Sequence, residues 1–318
     1  MSFNPSTVAN EITFGIEIEC FIPTNAVAPN GNLVRNRMVG YHRVGNFDAV
    51  TFDGWSATSD CSLRTSLSGY MPVEFVSPIL KGQDGLRQVR EIFAWLNSID
   101  ARVNRTCGQH IHIGVRSGSG SDNGDEQAHW VANLMGLTSQ YEDAMYAMTG
   151  SPYRASNSYC ATIKGSDHYK QAADATKAAS KRAGRKTDTL RNNYFNRTAT
   201  LNLTNVFSRR TVEFRWGGGT VNVAKAMMHI GVALGLAELA RSNRGTSFTL
   251  EPGKATTRVA GRSIPEAQVD ALISRLGWIT AGGPNRTAKG WIGTEVELKA
   301  TRRQARRLAK KFVAAGGR

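Results

Sequence analysis

The sequence predicts an α+β fold on three observations. Runs near residues 14–20, 71–80, 109–115, 198–206 and 210–216 alternate apolar with polar side chains at the period of a strand. Runs near 84–97, 125–148 and 221–240 either carry apolar residues at three-and-four spacing or are apolar almost throughout, as amphipathic and buried helices are. The 318 residues are 41% apolar and 20% charged, which excludes disorder and suffices for one large core or two modest ones.

The first strand follows from Phe14, Ile16, Ile18 and Cys20 alternating with Gly15, Glu17 and Glu19, which gives one apolar and one polar face. Residues 71–80 form a second strand. Leu86, Val89, Ile92, Phe93 and Leu96 mark a helix over 84–97, and 109–115 returns to strand. The Gly/Ser run at 117–124 reads as a flexible loop. A long helix over 125–148 is stopped by Gly150 and Pro152. A polar, basic region follows with a helix over 167–183, and strands 198–206 and 210–216 lead into the apolar helix 221–240. Ser263-Ile264-Pro265-Glu266 is a capping box that opens a helix to 276, and Thr294 to Glu297 opens another toward 316. The expected organisation is a mixed domain over 1–245, with a basic insertion at 164–197, and a basic helical C-terminal extension over 246–318.

Charge is unevenly placed. The formal excess is +15, from 40 Lys and Arg against 25 Asp and Glu. Residues 164–197 hold nine of those cations against three aspartates, and 286–318 hold ten against two glutamates, so these two stretches account for nearly all of it. Such segments suit anionic partners, among them nucleotides, acidic macromolecules and nucleic acid, or serve as solvated helix faces. Arg302, Arg303, Arg306, Arg307, Lys310 and Lys311 lie along one predicted helix that would suit phosphates. Residues 1–10 carry no basic and apolar leader pattern, and His229 and Glu238 interrupt the most apolar stretch, so neither a secretory signal nor a membrane span is expected. Cys20, Cys61, Cys107 and Cys160 fit neither a zinc knuckle nor a disulfide framework, which points to a reducing cytosol.

Four separated strands share one arrangement. Glu17 and Glu19, Glu74, His110 and His112, and Glu213 and Arg215 all occupy alternate positions whose neighbours are apolar. If the strands pair, these groups fall on one face. Four carboxylates a strand spacing apart repel unless a cation intervenes, so the cluster suggests a divalent metal, Mg²⁺ or Mn²⁺, of the kind that holds nucleotide phosphates. Arg215 suits charge developing on a transferring phosphoryl group, and Gly217-Gly218-Gly219 permits a ligand to approach the backbone. Taken singly, Glu17 and Glu19 read as the wet face of a strand, the histidines as hydrogen-bonded structural residues, Glu213 and Arg215 as a surface pair, and Asp60 as a turn cap.

The blocks Phe14-Gly-Ile-Glu-Ile-Glu19, Asp60-Cys-Ser-Leu63 with Glu74-Phe-Val-Ser-Pro78, Cys107-Gly-Gln-His-Ile-His-Ile-Gly114, and Thr211-Val-Glu-Phe-Arg215 with Gly219-Thr220 occur in that order. Together they resemble the carboxylate-amine ligases of the glutamine synthetase and glutamate-cysteine ligase superfamily, in particular its amidoligase branch, over about residues 12–240. The resemblance implies a curved antiparallel sheet forming a funnel, with helices on its outer face, ATP entering one end and Mg²⁺ at the waist. It implies Glu17, Glu19, Glu74, Glu213 and His110 as metal ligands. His112 and Arg215 are implied as phosphate contacts and Asp60 as a residue orienting the amine or a metal, with Gly219 of the glycine run a candidate contact to the cofactor. Arg191 and Asn202 are candidates for the substrate end. The implied reaction joins a carboxylate and an amine, from small molecules, peptides or protein side chains, through an acyl phosphate. Two rival classes stay open on the residues themselves: a metal-dependent nuclease or phosphohydrolase, and a basic nucleic-acid-binding protein with a degenerate ligase-like core.

Overall fold

Seven strands form one sheet, because the period-two runs bury their apolar faces only when laid side by side. In this computed structural model, which describes residues 11–36, 54–180, 182–241, 264–278 and 295–317, they are β1 (Thr13–Pro23), β2 (Ser56–Thr58), β3 (Tyr70–Val76), β4 (Leu80–Lys81), β5 (Gly108–Gly114), β6 (Leu201–Asn202) and β7 (Thr211–Gly218). Their order is β2-β3-β1-β5-β7-β6, with β4 paired to the start of β1, and every ladder between them is antiparallel. The α+β class and the antiparallel sheet with helices are as the sequence predicts.

Among the described residues the α-helices are α1 (Gly82–Ser98), α2 (Val115–Ser119), α3 (Gly124–Ala147), α4 (Asp167–Ala178), α5 (Arg185–Arg191), α6 (Val223–Arg241), α7 (Ile264–Arg275) and α8 (Glu295–Ala314). The apolar face of the sheet, with Ile16, Ile18, Phe75, Ile111, Ile113 and Phe214 all buried, lies under this helical layer. Trp95 of α1 meets Phe75 edge-on with ring centroids 5.4 Å apart, and α6 crosses β5. Helix α6 is long and apolar enough to cross a membrane, yet every residue from Ala226 to Ala240 is buried inside the fold. Within that buried stretch, His229 shares a 2.9 Å hydrogen bond with Gln109, and Glu238 pairs with Arg241 at 2.6 Å. At about 1.5–3 kcal/mol for each large apolar side chain removed from water, this burial is a main source of stability.

Four elements differ from the sequence expectation, each for a local reason. The strand expected over 71–80 splits because Pro78 has no N–H to give to a ladder, and the Ser77 hydroxyl instead accepts the Ile16 N–H at 2.9 Å. The strand expected over 198–206 shrinks to Leu201–Asn202, since the Asn196 and Asn202 side chains capture the Thr198 and Thr204 N–H groups in local turns. The helix expected over 167–183 ends at Ala178, and a second one, α5, begins at Arg185. The segment at 117–124, expected as a flexible loop, begins in α2, where the Ser117 hydroxyl accepts the Thr13 N–H at 3.0 Å and ties the segment to β1.

Helices α7 and α8 rest on α3, and α8 also meets α6. Leu298, Thr301, Ala305, Leu308, Ala309 and Phe312 make the buried stripe of α8. Its cations do not form a single exposed row, since Arg306 turns to Asp270 of α7 at 2.7 Å. Residues 1–10, on which the expected absence of a leader rests, and the capping residues Ser263 and Thr294 lie outside the described residues.

Candidate active site

Pairing register, more than proximity in sequence, assembles the polar face. Glu19 stands opposite Glu74, Glu17 opposite His110, His112 opposite Glu213, and Asn202 opposite Glu213. Residues directly opposite in an antiparallel pair share a face, so five strands deliver their polar side chains to one cluster. Glu19, Glu74, His110, Asn202 and Glu213 are buried, whereas Glu17, His112 and Arg215 are half-buried and form its open side. Glu17 and His112 also line a cavity of about 1050 Å³ that continues past Gly15, Ser77, Arg209 and Arg210 toward the start of β1 and β7.

The cluster is tightly bonded. Glu17 sits between both histidines, with His110 Nδ1 at 2.8 Å and His112 Nε2 at 2.9 Å. A carboxylate can only accept, so each of those ring nitrogens carries its proton. Glu19 accepts the Gly108 N–H. Glu213 accepts from Asn202 Nδ2 at 2.6 Å and is ion-paired with Arg215, whose Nε donates to the Tyr159 carbonyl at 3.1 Å. Burial opposes charge on Glu17, but the His112 charge and the two imidazole hydrogen bonds prevail and hold its carboxyl well below the usual range. Burial also opposes charge on Arg215 and His112, and the surrounding glutamates overcome it, so both are held in their protonated forms more firmly than usual. Glu74 goes the other way: burial, then the charges of Glu17, Glu19 and Asp60, push it up to about 9.

That last value sets a sign for stability. The folded chain keeps a proton on Glu74 that the unfolded chain gives up above its ordinary carboxyl range, so the contribution is full at low pH and is lost as pH rises toward 9. In the presence of a chelator, the melting temperature is expected to fall between pH 5 and pH 8 (a window of about that width), and Glu74→Gln should flatten the fall. Equal slopes for wild type and variant would contradict this account of the cluster.

One ligand atom each from Glu17, His112 and Glu213 can be chosen so that all lie within 4.8 Å of one another. The donor set, carboxylates and an imidazole converging on one face, fits a divalent ion. The resemblance assigns a ligand role to His110 and a phosphate contact to His112; the geometry brings His112 into the three-residue group. His110 lies beside the register shift in the β5–β7 ladder, with its Nε2 3.6 Å from Glu19 and its Nδ1 3.5 Å from Glu213. Asp60 is buried beyond the end of β2, near enough to raise Glu74, and its Oδ1 also accepts the Ser62 N–H as a turn cap. Gly219 lies at the end of β7, where the place of a side chain is taken by Cys107 and its N–H donates to the Cys107 carbonyl.

Of the two candidates for a substrate end, Asn202 joins the cluster. Arg191 does not: it is exposed on α5, 3.9 Å from Asp188, with its guanidinium 4.9 Å over the Phe207 ring. Arg154 is the residue that sequence reading missed. It is 4% exposed, lies in the short helical turn Arg154–Ser156 and donates Nη2 to the Arg215 carbonyl. No periodicity marks that segment, and only its position just after the Gly150 and Pro152 helix stop could have drawn attention to it.

A family described as "putative amidoligase enzyme" matches residues 10–237, more than two thirds of the chain. Among solved structures, a bifunctional glutathione synthetase from Pasteurella multocida is similar at 12% identity, over 98% of this chain and 49% of that one, with a TM-score of 0.43. The chain thus spans about half the length of that protein. No curated protein matches the chain.

Proposed function

The chain belongs to the amidoligase family, whose members are ligase-type enzymes, and from that premise we propose that it joins a carboxylate to an amine in a reaction driven by ATP and dependent on Mg²⁺ or Mn²⁺. The observation that carries the reading is the convergence of Glu17, Glu19, Glu74, His112, Glu213 and Arg215 from four neighbouring strands on one face beside a large cavity. This arrangement is compatible with the funnel that the resemblance implies.

Glu17, His112 and Glu213 would hold the divalent ion, with Glu19 and Glu74 beside them. Bound there, such an ion offsets the charge of nucleotide phosphates. The chain's own residues do the rest. Arg215, fixed by Glu213 and the Tyr159 carbonyl, keeps a permanent charge at the open side, where a transferring phosphoryl group gathers negative charge. His110 holds the Glu17 carboxylate in one orientation, and His112, to serve as a ligand, would give up the ring proton it shares with Glu17. A substrate carboxylate oxygen attacks the γ-phosphorus of ATP as the bond to ADP breaks, giving an acyl phosphate. An amine nitrogen then attacks the acyl carbon, phosphate leaves and the amine gives up a proton. No protein nucleophile is needed. The substrates are amino acids, peptides or protein side chains.

Phosphate release from ATP and Mg²⁺ tests this, screened against pools of amino acids and peptides as carboxylate and amine donors. Release that requires both donors is the expected result. No turnover and no nucleotide binding in any pool would sink the reading.

A further inference from the structure

The corner where β7 runs into α6 gathers three cations, and among the described residues no acid pairs with any of them. Arg154 comes from the turn after α3, Lys225 from the first turn of α6 and Lys311 from the last turn of α8. Arg154 and Lys225 meet around Gly218, and the Lys311 charge reaches Lys225. A Cβ placed on that glycine would lie 3.6 Å from Arg154 Cγ, 3.9 Å from Lys225 Nζ and 3.9 Å from Thr149 Cβ. Lys311 arrives beside Gly150, its Cδ 3.6 Å from the Cβ position of that glycine. Exposure decreases inward, from exposed Lys311 through half-buried Lys225 to Arg154, whose Nε is buried without a hydrogen-bond partner.

As it stands, this corner is electrostatically unfavourable. The first turn of α6 holds no acid to meet the positive end of the helix dipole, and Lys225 adds a further positive charge there. Burial, together with the Lys311 and Arg154 charges, pulls the Lys225 ammonium down to about 8. An anion would offset the clustered positive charge and meet the positive end of the helix dipole.

We propose that Arg154, Lys225 and Lys311 form a binding site for an oxyanion, a carboxylate or a phosphate group, at the β7–α6 corner. The site adjoins the carboxylate cluster through Gly108, whose Cβ position lies 2.9 Å from His110 Nε2 and 3.2 Å from Arg154 Nη2. Lys311 stands outside the segment matched by the family, so α8 supplies a cation which that segment lacks.

The test is calorimetric titration of the full chain with inorganic phosphate and, separately, glutarate, in a chelator so that the acidic cluster attracts no anion through a metal. Wild type is expected to bind at least one of them. Lys225→Met should weaken that binding about tenfold or more, and Lys311→Met several-fold, the scale of a charge-assisted hydrogen bond. Lys310→Met, which changes the exposed neighbour on α8, should leave it unchanged. Tighter phosphate binding assigns a phosphoryl ligand and tighter glutarate binding a carboxylate. The proposal is overturned if wild type binds neither, if Lys225→Met binds as wild type does, or if Lys310→Met loses as much as Lys311→Met. Melting curves without anion show that each variant is folded. Neither ATP nor turnover enters this experiment, so it can fail while the ligase reading stands, and the reverse.

Discussion

Glu17→Gln is expected to lower ATP-dependent amide formation by about 10³-fold, the scale on which removal of one preorganised charge-stabilising group acts. Glutamine keeps the shape and can still bond His110 and His112 after one ring changes tautomer, so the sheet survives. What disappears is the negative charge at the centre of the Glu17, His112, Glu213 group. Two measurements separate loss of chemistry from loss of fold. The variant should melt within a few degrees of wild type in a chelator. The rise in melting temperature that Mg²⁺ is expected to give wild type should be absent, because a ligand stabilises only the state that binds it. Full ligase activity in Glu17→Gln would remove Glu17 from the machinery and take the central ligand of the site with it.

Much of the polar face was legible because a strand allows only two directions for a side chain. Once Phe14, Ile16 and Ile18 point into the core, Glu17 must point away from it. The same holds for His110 and His112 against Ile111 and Ile113, and for Glu213 against Val212 and Phe214. Pair register is not readable in this way. That Glu213 stands opposite both His112 and Asn202 depends on which strands neighbour β7 and on a register shift near Gln109. The shift lets Trp216, two positions beyond Phe214, and Gly217 both serve the helix side, where Trp216 meets the His229 ring at 4.4 Å. Arg154 was illegible for a different reason. It acts from an irregular turn, where no period links a residue to its direction, and its partner is a backbone carbonyl that any residue would offer.

The glycines after Arg215 give the second large effect, and they separate packing from ligand approach. Gly217→Ala is expected to destabilise the fold by about 3 kcal/mol, since overpacking a fixed interior typically costs about 1–3 kcal/mol and here the obstacle is backbone. A Cβ on Gly217 would lie 2.6 Å from the Gln109 carbonyl oxygen and 3.2 Å from His229 Nδ1. Neither can yield easily: the carbonyl belongs to β5, and the His229 ring is held by Gln109 and Trp216. In a chain of this size the loss corresponds to a drop of roughly 4–5 °C in melting temperature. Gly219→Ala should behave alike, because Cys107 fills its side-chain position. Gly218→Ala should not, since a methyl there meets only ordinary contacts at 3.6 Å and beyond and sits in the cationic corner. Were the run present only so that a ligand could approach, all three alanine variants would keep the wild-type melting temperature and differ in activity alone. The ordering expected here is therefore large losses of stability at 217 and 219 with little at 218, while anion binding at the corner is disturbed most at 218.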